Sequence, residues 1–167
     1  MSYLSGRGVR TGAMAAGVAC LAGHSASLLA DDETIDLAKV PEAVKKAADK
    51  AVPNVKWTSA SKENEDGQVV YELEGTDDEG RVVSVEVTAK GKVLEVEKQI
   101  DVAKIPKAVQ NALKAKLPRF QTSMAFQVFV EGELIAYEFE GKRPKDKKEI
   151  SVLVTADGKR VEISDDD

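Results

Sequence analysis

Ile35-Asp-Leu-Ala-Lys-Val-Pro-Glu-Ala-Val44 and Ile100-Asp-Val-Ala-Lys-Ile-Pro-Lys-Ala-Val109 are two copies of one decapeptide, identical at seven of ten positions. Two of the three differences, Leu37/Val102 and Val40/Ile105, exchange one aliphatic residue for another. The echo continues downstream. Val52-Pro53 returns as Leu117-Pro118, Tyr71-Glu-Leu-Glu-Gly75 as Tyr137-Glu-Phe-Glu-Gly141, and Val87-Thr-Ala-Lys-Gly-Lys92 as Val154-Thr-Ala-Asp-Gly-Lys159. The interval drifts from 65 to 66 to 67 residues, as single-residue insertions in turns produce. Solenoid units repeat every ~20–50 residues, so a period this long marks a duplicated small domain. The organisation expected is a leader at 1–30, a first repeat at 31–99 and a second at 100–167.

Each repeat opens with a short helix. Pro41 and Pro106 sit where a helix tolerates proline, and Pro53 and Pro118 stop it. Between them Ala43, Val44, Ala47, Ala48 and Ala51, and likewise Ala108, Val109, Ala112, Leu113 and Leu117, recur at amphipathic intervals. A helix of about ten residues is too short to stand alone and must pack on something. That something is sheet. Val69, Tyr71 and Leu73 alternate with Glu72 and Glu74, and Val83, Val85 and Val87 share one parity of Arg81–Thr88. Val55–Trp57 and Val93–Glu97 supply the outer strands. The second repeat follows with a helix over 106–117 and strands near 120–131, 133–141, 148–155 and 159–164. All connections are too short for crossovers, so the sheet is antiparallel. The fold class expected is α+β: two tandem α-β-β-β-β repeats, helices on one face of the sheet, the other face open.

Strand parity places Tyr71, Tyr137 and Trp57 in the core. In 120–131 it puts Phe120, Met124, Phe126, Val128 and Val130 on one side, leaving Phe129 on the other and exposed. The open face receives Glu72, Glu74, Glu86, Glu138 and Glu140, with Ser84, Ser151 and Thr155 between them. Such a face is either a solvated side of the sheet or an acidic docking surface. Glu72, Glu74, Glu86, Phe129, Glu138 and Glu140 are therefore the candidate partner-binding residues.

The first 30 residues contain Arg7 and Arg10, no acidic residue, and the small apolar run Thr11–Gly23. That run has the length of a secretory h-region and falls short of a membrane span. Cleavage is expected after Ala30, or near Ala26 or Ser27. Cys20 lacks the leucine a lipobox places three residues earlier; Gly17 stands there. The leader holds the sole cysteine and the sole histidine, Cys20 and His24. An exported mature chain would then have no disulfide, no thiol nucleophile and no Ser-His triad. Its net charge would move from −5 to −7, which disfavours nucleic acid. Thr76–Gly80 carries calcium-type oxygen ligands without the spaced loop of a calcium hand. Paired carboxylates abound, but glycosidase chemistry needs a cleft and one elevated pKa. No catalytic residue, metal ligand or cofactor is assigned.

Two α-β4 units, each with a V/I-P-x-A-V helix opening, a Y-E-L/F-E-G strand and a V-T-A-x-G-K hairpin, resemble the PepSY-like family, grouped with the β-lactamase-inhibitor-protein fold. The resemblance covers roughly residues 35–164, and its motifs are structural. It implies a periplasmic or secreted protein, and a role in binding or inhibiting proteases, as in thermolysin-like propeptides. No inhibitory residue carries over. The fold's namesake is disulfide-bonded, which this mature chain cannot be. The function expected is an exported, non-enzymatic module recognising a protein or peptide on the open face. The alternative is a cell-envelope binder of small ligands or divalent cations.

Overall fold

Asp36 and Asp101 explain why the decapeptide is shared. Each side chain accepts a hydrogen bond from the backbone N–H two residues on, Ala38 and Ala103, at 2.8 Å. Each thereby caps a single 3-10 turn, Leu37–Lys39 and Val102–Lys104. The proline that follows cannot extend that turn and instead stands at the N-cap of α1 (Glu42–Ala51) or α2 (Lys107–Lys116). Sequence reading had begun each helix at its proline, so the aspartate-capped turn ahead of it is an addition. The computed structural model describes residues 33–65 and 68–165. The expected leader lies outside the described residues.

The strands are β1 (Glu33–Ile35), β2 (Lys56–Glu65), β3 (Gln68–Thr76), β4 (Val82–Thr88), β5 (Val93–Gln99), β6 (Gln121–Val130), β7 (Glu133–Lys142), β8 (Glu149–Thr155) and β9 (Val161–Asp165). They form one antiparallel sheet, nine strands in chain order. The two repeats are joined edge to edge: Val96 pairs Phe129, Glu97 pairs Val128, Lys98 pairs Gln127 and Gln99 pairs Phe126. β1 makes the same joint in miniature. Glu33, Thr34 and Ile35 pair Lys62, Ser61 and Ala60, each position 65 residues before its counterpart in 98–100 and 125–127. β1 is thus the first repeat's copy of the tail of β5.

Both helices pack on one side. α1 buries Val44 and Ala48 over Leu73, Val83, Val85 and Val87. α2 buries Val109 and Leu113 over Tyr137, Phe139, Ile150, Val152 and Val154. Burial of each such aliphatic side chain contributes about 1.5–3 kcal/mol, which holds two helices too short to persist alone. Tyr71 and Trp57 are half-buried against the first core, and the indole Nε1 donates to Asp49 Oδ1 at 2.8 Å.

Gly75 and Gly141 close the shared Y-E-x-E-G motif for one reason. The register slips between Trp57 and Ser59 and again between Thr122 and Met124. Each bulge presses the neighbouring backbone against the glycine. A Cβ there would collide with the carbonyl oxygen of Lys56 or Gln121.

The second of these bulges corrects the parity reading of β6. Phe120, ahead of the slip, packs with the α2 core, whereas Phe126 and Val128 are buried on the opposite, glutamate-bearing face, beside Glu138 and Ala136. Phe129 is half-buried rather than exposed. It lies on the helix side, with Lys98 Nζ 5.5 Å from its ring centroid. In β3, Val69 is 38% exposed and Val70 only 1%, the reverse of the expectation, because the core parity runs past the end of the helix cover.

Candidate functional site

Strand pairing sets the glutamates of the helix-free face side by side. Glu72 pairs Glu86, and Glu86 pairs Glu95. One pleat on, Glu74 pairs Ser84, and Ser84 pairs Glu97. Across the joint, Phe126 pairs Glu138 and Met124 pairs Glu140, which pairs Ser151. Five of the six candidate residues therefore share this face; Phe129 does not.

The face is not a wet one. Glu74, Glu138 and Glu140 are 8%, 1% and 5% exposed, while Glu72 and Glu86 are half-buried. Side chains packed along this face, among them Phe126, Val128 and Leu153, shield one another from water. Val128, Ala136 and Leu153 pack as an apolar cluster on the same face. Positions equivalent by the 65-to-67-residue offset show how the halves diverged. Ser61, Glu63 and Glu86 of the first repeat correspond to Phe126, Val128 and Leu153 of the second. Acidic and apolar halves thus meet at β5 and β6.

Burial raises the proton affinity of carboxylates, and neighbouring like charges raise it further. Glu97 shows both. As a residue it is half-buried, but its Oε1 is enclosed and has no hydrogen-bond partner. Burial first, then the Glu138, Glu95 and Glu72 carboxylates, push its pKa well up. Glu140 is pushed up to about 8, by burial and then by Glu138, Glu74 and Glu149. Glu74 is raised by burial. The face thus carries fewer charges at neutral pH than it has carboxyls. Hydroxyls hold the cluster in place. Ser84 Oγ donates to Glu97 Oε2 at 3.3 Å, and Ser151 Oγ donates to Glu138 Oε1. The elevated pKa that sequence reading had denied this sheet is present. Neutral carboxyls here can donate hydrogen bonds, and their protons can be displaced by an approaching cation.

Sequence reading missed Glu95 and Glu97. Their alternation with Leu94 and Val96 was the available signal, but only the β5–β6 pairing shows them facing Glu138. Among the described residues, no group of three or more His, Cys, Asp or Glu side chains is arranged to hold a metal ion. No described helix is long and apolar enough to cross a membrane.

Residues 41–97, from the start of α1 into β5, match the model of the PepSY family, the peptidase propeptide and YPEB domain. The second repeat folds the same way on the same sheet. The fold is PepSY-like and BLIP-like. The chain is similar to a protein from Bacteroides eggerthii described as periplasmic, at 17% identity over 74% of this chain and 88% of that one, TM-score 0.58. It is similar also to a DUF2874 family protein from Bacteroides uniformis, at 18% identity over 74% and 88%, TM-score 0.57. A BLIP-like protein from Bacteroides fragilis is 19% identical over 75% and 86%, TM-score 0.54. At such identities the likeness speaks to fold. No curated protein matches the sequence.

Proposed function

We propose that this PepSY-like chain is an exported, non-enzymatic module that recognises a protein or peptide on the helix-free face of its sheet, protease modulation being the most specific form of that role. Residues 1–30 direct export, and the repeats at 31–99 and 100–167 act as one recognition unit. The observation that carries the reading is the convergence of Glu72, Glu74, Glu86, Glu95, Glu97, Glu138 and Glu140 on the one face that no described helix covers. Retaining carboxylates in a buried setting costs stability, and seven of them on one side of a sheet point to a task other than folding. The periplasmic description of the similar Bacteroides eggerthii protein and the peptidase-propeptide character of the matched family support an envelope protein partner.

The test is affinity capture from the native envelope fraction, with wild type beside Glu72→Lys/Glu86→Lys at the half-buried rim. A protein retained by wild type through an EDTA wash and lost by the variant supports the reading. A protein retained equally by both, or retention that depends on divalent cations, overturns it.

A further inference from the structure

The two repeats keep separate hydrophobic cores. The first draws on residues 35–96 and the second on residues 100–161, so no core cluster of the described residues bridges them. They are joined by the four pairs from Val96–Phe129 to Gln99–Phe126, and by the Ile100 N–H, which donates to the Ala125 carbonyl at 2.8 Å. That short ladder carries Glu97 on β5. Glu138 on β7 approaches it over β6, beside Phe126.

Hydrogen-bond accounting at this pair leaves one gap. Ser84 Oγ donates to Glu97 Oε2 at 3.3 Å and Ser151 Oγ donates to Glu138 Oε1, yet the enclosed Glu97 Oε1 receives nothing. A buried acceptor left without a donor is costly. From β5 to β9 the cations on this face, Lys142 and Arg160, are engaged with Glu149 and Glu162. The other titratable groups facing the pair are acids: Glu72 and Glu74 on β3, Glu86 on β4, Glu95 on β5, Glu140 on β7 and Glu149 on β8. β6 presents only Met124, Phe126 and Val128. The donor that fits the gap is a proton lying between Glu97 Oε1 and Glu138, two buried acids too close for both to ionise. We propose that this shared proton clasps the two repeats together, so that the joint is closed while the proton is held and loosens when it is lost.

The duplication points the same way. Ser84 pairs Glu97 as Ser151 pairs Ser164, so Ser164 is the counterpart of Glu97. The acid stands where a second repeat docks, and the serine where, among the described residues, no strand follows. Burial and then the Glu138 carboxylate hold the Glu97 carboxyl well above its ordinary range, which keeps the clasp loaded at neutral pH. An opened joint returns both acids to their ordinary proton affinity, so the closed joint binds one proton more. Closure is fully favoured below the ordinary carboxylate range. It weakens about tenfold per unit as pH rises, until the closed pair is ionised too. The clasp concerns how the repeats join and is independent of what the face recognises.

Hydrogen–deuterium exchange, corrected for the intrinsic rate at each pH, tests the clasp. In wild type, protection of residues 96–99 and 126–129 should fall at least about tenfold more than that of β2 and β8 between about pH 6 and about pH 9. Glu97→Gln places an amide N–H where the shared proton lies, and Glu138→Gln offers one from the other side. Each should abolish the excess fall and diminish the protonated-carboxyl band in the infrared spectrum. Glu140→Gln leaves the pair intact and should retain the excess fall. A loss of protection shared equally by all strands, an excess fall that persists in both Glu97→Gln and Glu138→Gln, or a carboxyl band that neither variant diminishes would overturn the proposal.

Discussion

Replacing Glu140 by Gln removes one buried ionisable group while nearly conserving its volume. The Glu140 pKa rises from its ordinary value of 4.5 to about 8 in the folded chain. Below about pH 4.5 both folded and unfolded chains hold the proton, and the carboxyl has no effect on stability. Between 4.5 and 8 the unfolded chain releases the proton and the folded chain keeps it. Stability then falls as pH rises, by about 1.4 kcal/mol per unit, and levels off above 8. At pH 7 the accumulated cost is about 3 kcal/mol. Glu140→Gln should therefore match wild type at pH 4 and exceed it by up to about 3 kcal/mol at pH 7, or roughly 10 °C in Tm for a domain of this size. Trp57 is the sole tryptophan and sits against the first core, so its fluorescence reports urea unfolding of the joined sheet at each pH. A gain that is equal at pH 4 and pH 7, or absent at pH 7, would refute the reasoning.

Other outcomes follow from the same geometry. Gly75→Ala and Gly141→Ala meet a backbone carbonyl and should each cost several kcal/mol, whereas Gly80→Ala has open space around its Cβ and should cost only the ~1–2 kcal/mol of a left-handed residue; thermal denaturation compares them. Asp36→Ala and Asp101→Ala each remove a turn cap and should cost about 1 kcal/mol, adding in the double variant because the two sites share no partner. Phe126→Ala should lose about 3–5 kcal/mol as a cavity opens beside Glu138, measured by chemical unfolding; a loss under 1 kcal/mol would place Phe126 outside the packed face.

Much of the fold was legible because its signals are local. The decapeptide, the stop prolines and the period-2 alternation give element types, and short connections give an antiparallel sheet. Tyr137 and Val85 fell on the core side because pairing is in regular register through Ala136–Lys142 against β8 and Val82–Thr88 against β3. Where the register slips, parity ceases to predict: the bulge at Ser123 in β6 set Phe126 and Val128 on the glutamate face, opposite Phe120, and the joint with β5 left Phe129 half-buried beside Val96. The candidate site was legible as a set of glutamates and not as an environment. Alternation told which side Glu74, Glu138 and Glu140 occupy. Their burial, and the part played by Glu97, depend on how the two repeats join, and that pairing is between residues some 30 positions apart. The single glycine at 75 or 141 hinted at the bulges but could not locate them.

Hydrogen–deuterium exchange of the chain, free and bound to the protein that wild type captures through EDTA, tests the recognition face most directly. The account predicts added protection in β3, β4, β5 and β7, where Glu72, Glu74, Glu86, Glu97, Glu138 and Glu140 lie, with α1 and α2 unchanged. Protection confined to α1 and α2, with those strands unaltered, would contradict it.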